Sequence, residues 1–501
     1  MKKLLLFLIT LFITSISFAQ ANWYNIRNYG AKGDGQTLDT KAINDAINAA
    51  ATAGGGTIYF PAGNYLSASI RLKSRITLRL EQGCTLIGAD TGYDEAEPNP
   101  AGGKFQDFGH SHWHNSLIWG ENLEDISIIG PGKIYGKGLT RGSFPKPGQG
   151  NKAIALKLCR NVMLKDFTLL YGGHFGLLAT GVDLMTISNV TMDTNRDGMD
   201  IDGCQNVRVS DCTINSPWDD GICLKSSYAL GYNRSCENIT ITNCSVSGFD
   251  RGTLANGTYQ RKEGHLVPDH EGPTGRIKFG TESNGGFKNI TVSNCTFKFC
   301  RGLALETVDG ASLEDITISN ITMRDVTNSP IFLRLGGRMR APEGTPMGSL
   351  KRVIISNLIA YNADSHFASL IAGLPGHDIE DVQLNNIRIY YRQLDSAATK
   401  IQQVVPEHEK TYPEPAKFGV LPAYGFFIRH AKNVKLNNVE LSYMGSETRV
   451  PFILDDVKGI TLNHVKAQIP AGQVMYKLNK VSGFEVLPAK SVSKKLIEEV
   501  K

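Results

Sequence analysis

The sequence predicts an all-β chain wound as a right-handed parallel β-helix, and a repeated strand motif, its internal alternation and its spacing predict it. A six-residue unit that opens and closes on Asn, Asp or a stand-in recurs at Asn161–Asp166, Leu184–Asn189, Asn206–Asp211, Asn238–Asn243, Asn289–Asn294, Asp315–Asn320, Arg352–Asn357, Asp381–Asn386, Asn433–Asn438 and Gly459–His464. Inside each unit apolar and polar residues alternate, the period of a strand with one buried face. Closing residues 166, 189 and 211 are 23 and 22 apart, and 294 and 320 are 26 apart. A fixed period in the twenties means stacked coils, and the leucine-rich consensus of a horseshoe repeat is missing.

The elements follow in chain order. Lys2 and Lys3, an apolar run from Leu4 to Phe18 and the small-residue ending at Ala19 read as an export signal over residues 1–19. That run is shorter than the roughly 20 residues of a spanning helix, so no membrane anchor is expected. Residues 20–501 are expected to form one domain: cap and first coils over about 23–110, catalytic coils over about 150–340, and C-terminal coils and tail over about 341–501. The stretch Asp39 to Ala51, with Ile43, Ala46 and Ile47 on one face, predicts a short amphipathic helix that covers the first open strand edges. The segment from Gly54 to Gly63 is expected to start the first coils. Of nine cysteines, Cys212, Cys244 and Cys295 share one repeat position, which favours stacked inward small apolar groups over disulfides. No Cys/His spacing of a zinc site occurs, and no cofactor or resident metal is expected. A formal charge of +5 permits an anionic ligand, and the lack of a basic arm argues against nucleic acid. The sequence does not set the oligomeric state, and a monomer is the expectation.

The candidate chemistry lies in the second strand of three consecutive coils. Counted from the closing residues, His174, Asp197 and Asp219 share an offset of eight, so they are expected to stack in one column. The coil with Asp219 has one extra residue, Asp220, and a bulge there would turn both carboxylates to one face. Paired carboxylates with split pKa values are what glycoside hydrolysis requires, whereas Asp in turns is common without function.

The motifs Asn195-Arg196-Asp197-Gly198 and Pro217-Trp218-Asp219-Asp220-Gly221-Ile222-Cys223-Leu224-Lys225 resemble the Asn-Thr-Asp and Gly-Asp-Asp motifs of glycoside hydrolase family 28, the polygalacturonases and their relatives. The likeness runs from Ala31 to about Met323. It implies a pectin-lyase-like β-helix and inverting hydrolysis of an acidic plant polysaccharide, pectin, with Asp219 as general acid and Asp197 and Asp220 activating the water. The chain departs from the family at two places. Thr274-Gly275-Arg276 stands where polygalacturonases have Gly-His-Gly, and Ala304-Leu305-Glu306 stands where they have Arg-Ile-Lys. Rhamnogalacturonan-directed members also depart there.

Alignment of Met199–Asp202, Ile222–Lys225, Ile277–Gly280, Leu303–Glu306 and Ile331–Arg334 puts the first and third residues inward. The fourth residues Asp202, Lys225, Glu306 and Arg334 then form an outward charge column, either a cross-strand salt-bridge ladder or a substrate surface. Lys225, Lys278, His174, Glu306, Arg334 and Asn195 are the candidate substrate contacts, with Lys278 nearest to a substitute for the missing family arginine. His265 and His270 lie in a charged insertion, residues 251–274, expected to wall one end of the cleft. Two other classes remain open: a β-helical lyase using calcium on the aspartates, and a non-catalytic adhesin, since fold does not fix function.

Overall fold

The computed structural model describes residues 22–262, 272–394, 400–488 and 494–500. The expected export signal and both insertion histidines, His265 and His270, lie outside them. The described strands pair in parallel into one continuous sheet wound as a right-handed parallel β-helix. One register line shows the stacking: Trp119, Ala155, Leu178, Asp200, Cys223, Lys278, Ala304, Phe332, Leu370 and Phe427 are successive partners in ten coils.

The repeat motif works through its two ends. Both adopt the left-handed backbone region: φ is 54° and 69° at Asn161 and Asp166, 58° at both Asn206 and Asp211, and 54° and 55° at Asn289 and Asn294. Asn and Asp tolerate this region better than other side chains, which is why they recur there. Leu184 and Arg352 adopt it at 55° without that tolerance. The closing residues also bond along the axis. Asn320 donates to Asn294 (3.0 Å), Asn357 to Asn320 (3.0 Å), Asn386 to Asn357 (2.9 Å) and Asn438 to Asn386 (2.9 Å).

The alternating apolar residues meet inside as one buried cluster from Ile26 to Leu478. Met199, Ile201, Ile222, Leu224, Ile277, Phe279, Leu303, Leu305, Ile331 and Leu333 are part of it, as the ladder alignment requires. All nine cysteines are buried and free. The capping helix spans Thr40–Thr52 and buries Ala42, Ile43, Ala46, Ile47 and Ala50. The first coils include the segment from Gly54, whose Thr57–Tyr59 pairs with the strand Trp23–Asn25.

Two irregular segments leave the solenoid and cover its outer face. One contains the turn Phe108–Ser111 and packs on His174, so closely that a Cβ on Gly109 would meet the imidazole at 2.7 Å. The other comprises residues 401–422, which carry Tyr412 and Glu414 back onto the central coils.

Candidate active site

Asp197 opens the strand Asp197–Asp202, while Asp219 and Asp220 occupy the turn before the strand Ile222–Ser226. The strands are in register from Met199 opposite Ile222. Counting back along that register, Asp197 faces Asp220, with Asp219 left over in the turn. The extra residue is thus absorbed by the turn and makes no bulge in a paired strand, since a turn loses no ladder bonds by lengthening. One oxygen from each of Asp197, Asp219 and Asp220 lies within 4.8 Å of the others.

The expected column is therefore shifted by one. Asp197 pairs with Phe175, and His174 sits one residue earlier. His174 is buried, its Nδ1 lies 2.8 Å from the Arg141 carbonyl, and its ring lies against the Arg196 guanidinium. Burial, with Arg196 beside it, pushes this imidazole well below its ordinary value and keeps it neutral.

Each carboxylate has a distinct electrostatic setting. Arg196 bridges Asp197 at 3.0 Å and Asp219 at 2.8 Å. Asp220 is held by Arg276 at 2.8 Å and Lys278 at 3.3 Å. Burial raises Asp197 well above the usual carboxylate range, Asp219 and Asp200 add to this, and Arg196 opposes it. Burial also pushes Asp220 upward, but Lys278 and Arg276 outweigh it and hold that carboxyl below the usual range. The site thus keeps Asp220 ionised and favours a proton on Asp197. Asp219 is the least buried of the three, with 18% of its side chain exposed.

The outward charge column does not form a salt-bridge ladder. Asp202 accepts from the Ser227 backbone N–H at 2.7 Å and from the Ser227 hydroxyl. Lys225 turns to Glu282 at 2.9 Å and Asp200 at 3.5 Å, and Asp200 also lies 3.5 Å from His110. The reason is a register shift: Leu224 faces Phe279 but Ser226 faces Ser283, so extra residues bring Glu282 to the lysine. Glu306 is fully buried, accepts from Thr281 at 3.1 Å, and stands 3.6 Å from Lys278 and 3.9 Å from Arg276. Arg334 is buried against the carbonyls of Gly373, Glu407 and His408, away from Glu306. Asn195 is half-buried with its side-chain oxygen unpartnered. Lys225 and Lys278 are also buried, so their charges support the carboxylates from behind.

Several site residues lay outside the sequence reading. Arg276 stands at a noted family departure, and its contact with Asp220 gives that departure a role. Arg196 stands inside the quoted motif where the family has Thr. Tyr412 reaches Lys278 at 3.0 Å, and Glu414 binds Arg276 at 3.1 Å and Arg301 at 3.0 Å. Neither had a local signal, because the fold brings both from far along the chain.

Residues 23–250 match the family model of rhamnogalacturonase A/epimerase, pectate lyase-like proteins. A probable polygalacturonase of Vitis vinifera is 27% identical over 379 residues, covering 69% of this chain and 75% of that protein. The chain resembles glycoside hydrolase family 28 in sequence. A Yersinia enterocolitica family 28 exopolygalacturonase has the same fold, with a TM-score of 0.66 and 18% identity over 89% of this chain and 79% of that one. An exo-poly-alpha-D-galacturonosidase of Dickeya chrysanthemi is 32% identical over 215 residues, 42% of this chain and 35% of that relative. In family 28 terms, Arg276 and Glu306 occupy the two departed motifs, and both lie around Asp220 and Lys278.

Proposed function

We propose that the chain is an exported glycoside hydrolase of the polygalacturonase type, cleaving α-glycosidic bonds in galacturonate-containing pectin. The observation that carries this is the split environment of three adjacent carboxylates, one held ionised by two cations and one raised by burial. Such splitting keeps one carboxylate, Asp220, ionised as a base beside another that can hold a proton, as glycoside hydrolysis needs. Asp219, the most exposed of the three, takes the role of general acid toward the leaving oxygen, the role its place in the motif resembling family 28 implies. Asp197 and Asp220 orient the attacking water.

Inversion is part of the proposal, with carboxylates closer together than is usual for inverting enzymes. Inverting pairs commonly stand about 6.5–9.5 Å apart, whereas oxygens of all three carboxylates here lie within 4.8 Å. A water about 2.8 Å from each of two oxygens fits between acceptors that far apart. Asp197 and Asp220 therefore suit a shared water, and the third carboxylate supplies the acid. A calcium-dependent lyase is less well supported. Arg196, Arg276 and Lys278 already pair with the three aspartates, which removes the uncompensated charge that a divalent cation needs.

Attack near chain ends is part of the reading, supported by the packing of the turn Phe108–Ser111 on His174 and of Tyr412 on Lys278, beside the carboxylates. A rhamnose-containing pectin is the alternative substrate, since Ala304 and Glu306 replace the family cations. No helix among the described residues is long and apolar enough to cross a membrane. Incubation with polygalacturonan, rhamnogalacturonan and xylogalacturonan, followed by product sizing, tests the reading. Short saturated products from one of them support it, and unsaturated products would replace it with a lyase.

A further inference from the structure

The hydrolase reading leaves a gap, because the cations expected to hold a uronate are already engaged. Lys225 and Lys278 are buried in pairs with Glu282, Asp200, Asp220 and Glu306. A substrate carboxylate in a partly dry cleft costs several kcal/mol unless a cation or several donors meet it.

Beside the catalytic carboxylates, on the side of the earlier coils, lies a cavity of about 490 Å³ lined by Arg141, Ser143, His174, Arg196 and Trp218 among others. Its volume falls in the range of small-ligand clefts. Its chemistry is one-sided. The Arg141 guanidinium stands 3.6 Å over the Trp218 ring and that of Arg251 stands 4.4 Å over the same ring. Arg196 both lines the cavity and contacts Asp197 and Asp219. Arg141 makes no ion pair among the described residues. Burial and the neighbouring Arg251 and Arg196 push its guanidinium below the ordinary arginine value.

Donors accompany the charge. Trp218 is buried and its indole N–H has no partner among the described residues. The Ser143 hydroxyl oxygen accepts from the Gly109 N–H at 3.4 Å, which leaves its own O–H free to donate. Neutral His174 fills the wall without adding charge. A planar monoanion with two acceptor oxygens suits this set, because an arginine fork takes a carboxylate in bidentate fashion. A phosphate dianion is disfavoured beside three aspartates.

We propose that this cavity is a subsite for the carboxylate of a uronate next to the scissile bond, held by Arg141 with Trp218 Nε1 and Ser143 Oγ as donors. It rests on the hydrolase reading, and the subsite supplies the acid recognition lost with the family's Arg-Ile-Lys motif.

The test compares polygalacturonate with its methyl ester, two polymers that differ at the carboxylate, using wild-type protein and Arg141→Gln. The subsite predicts that wild type prefers the acid. Its acid-over-ester ratio of kcat/KM should fall on the order of 10-fold or more in the variant, mainly through KM, the loss expected when a charge-assisted bond is removed. Arg141→Lys should recover part of it. A purely structural arginine would lower both substrates together and leave the ratio unchanged, which would overturn the proposal. If wild type cleaves neither polymer, the hydrolase reading fails for polygalacturonan. Calorimetric binding of trigalacturonate then decides the subsite: loss in Arg141→Gln supports it, and equal binding refutes it.

Discussion

Asp219→Asn separates catalysis from stability more cleanly than any other substitution in this site. Its carboxylate makes one ion pair, to Arg196 at 2.8 Å, and accepts the Asp220 N–H at 2.9 Å. An amide oxygen can keep the second bond. The ion pair is partly open to solvent, so screening limits its worth to about 1 kcal/mol, and Arg196 retains Asp197 as a partner. The protein should therefore fold with a Tm within a few degrees of wild type, at about 2–4 °C or less per kcal/mol in a chain this large. Proton donation is another matter. A positioned general acid contributes about 10²–10⁴-fold, so kcat on the preferred pectin should fall roughly 10³-fold, equivalent to about 4 kcal/mol of barrier. Reducing-end release at saturating substrate, with a melting curve on the same preparation, reads both quantities. A variant that keeps more than a tenth of wild-type kcat would refute the role of Asp219 as acid. A variant that fails to fold would refute the claim that its structural share is small.

Asp220→Asn should behave differently. Because Arg276 and Lys278 are buried around Asp220, removing its charge should abolish turnover and also cost about 3–5 kcal/mol of stability, read as a lower urea midpoint. Glu306 gives a pH prediction: burial raises it to about 7 despite Lys278 and Arg276. A raised carboxyl binds more protons folded than unfolded, so its contribution to stability falls as pH rises from about 4 to about 7 and stays low above that. Glu306→Gln should gain stability over wild type across that window, by about 3 kcal/mol at the upper bound; a difference independent of pH would show that Glu306 is not raised. For stereochemistry, NMR of the first product from an α-linked substrate should show the β-anomer, whereas the α-anomer first would require a covalent nucleophile and overturn the water held by Asp197 and Asp220.

What was legible in the sequence follows a physical divide. The solenoid could be read because its signals are local. Asn and Asp mark most of the left-handed corners at the ends of the motifs, and alternation within each sets the inward face. The three aspartates could be read because coils of nearly constant length put residues one period apart side by side. The register near Asp219 misled by one position, since counting from the closing residue hides whether the extra residue falls in the turn or in the strand. The charge column failed for a similar reason. The shift between Leu224 and Ser226 redirects Lys225 to Glu282, and no local pattern announces it. Long-range returns lay beyond any periodicity argument: Glu414 meets Arg276 across 138 positions. Arg196 and Arg276 stood within the quoted segments, and only the geometry joined them to the carboxylates.

Incubation of polygalacturonan with the protein in H₂¹⁸O, with mass spectrometry of the released oligomers, tests the central claim most directly. Hydrolysis by Asp219, Asp197 and Asp220 predicts one ¹⁸O at the anomeric carbon of every new reducing end, on saturated products. Unsaturated products without the label, or no products from any galacturonate-containing pectin, would contradict it.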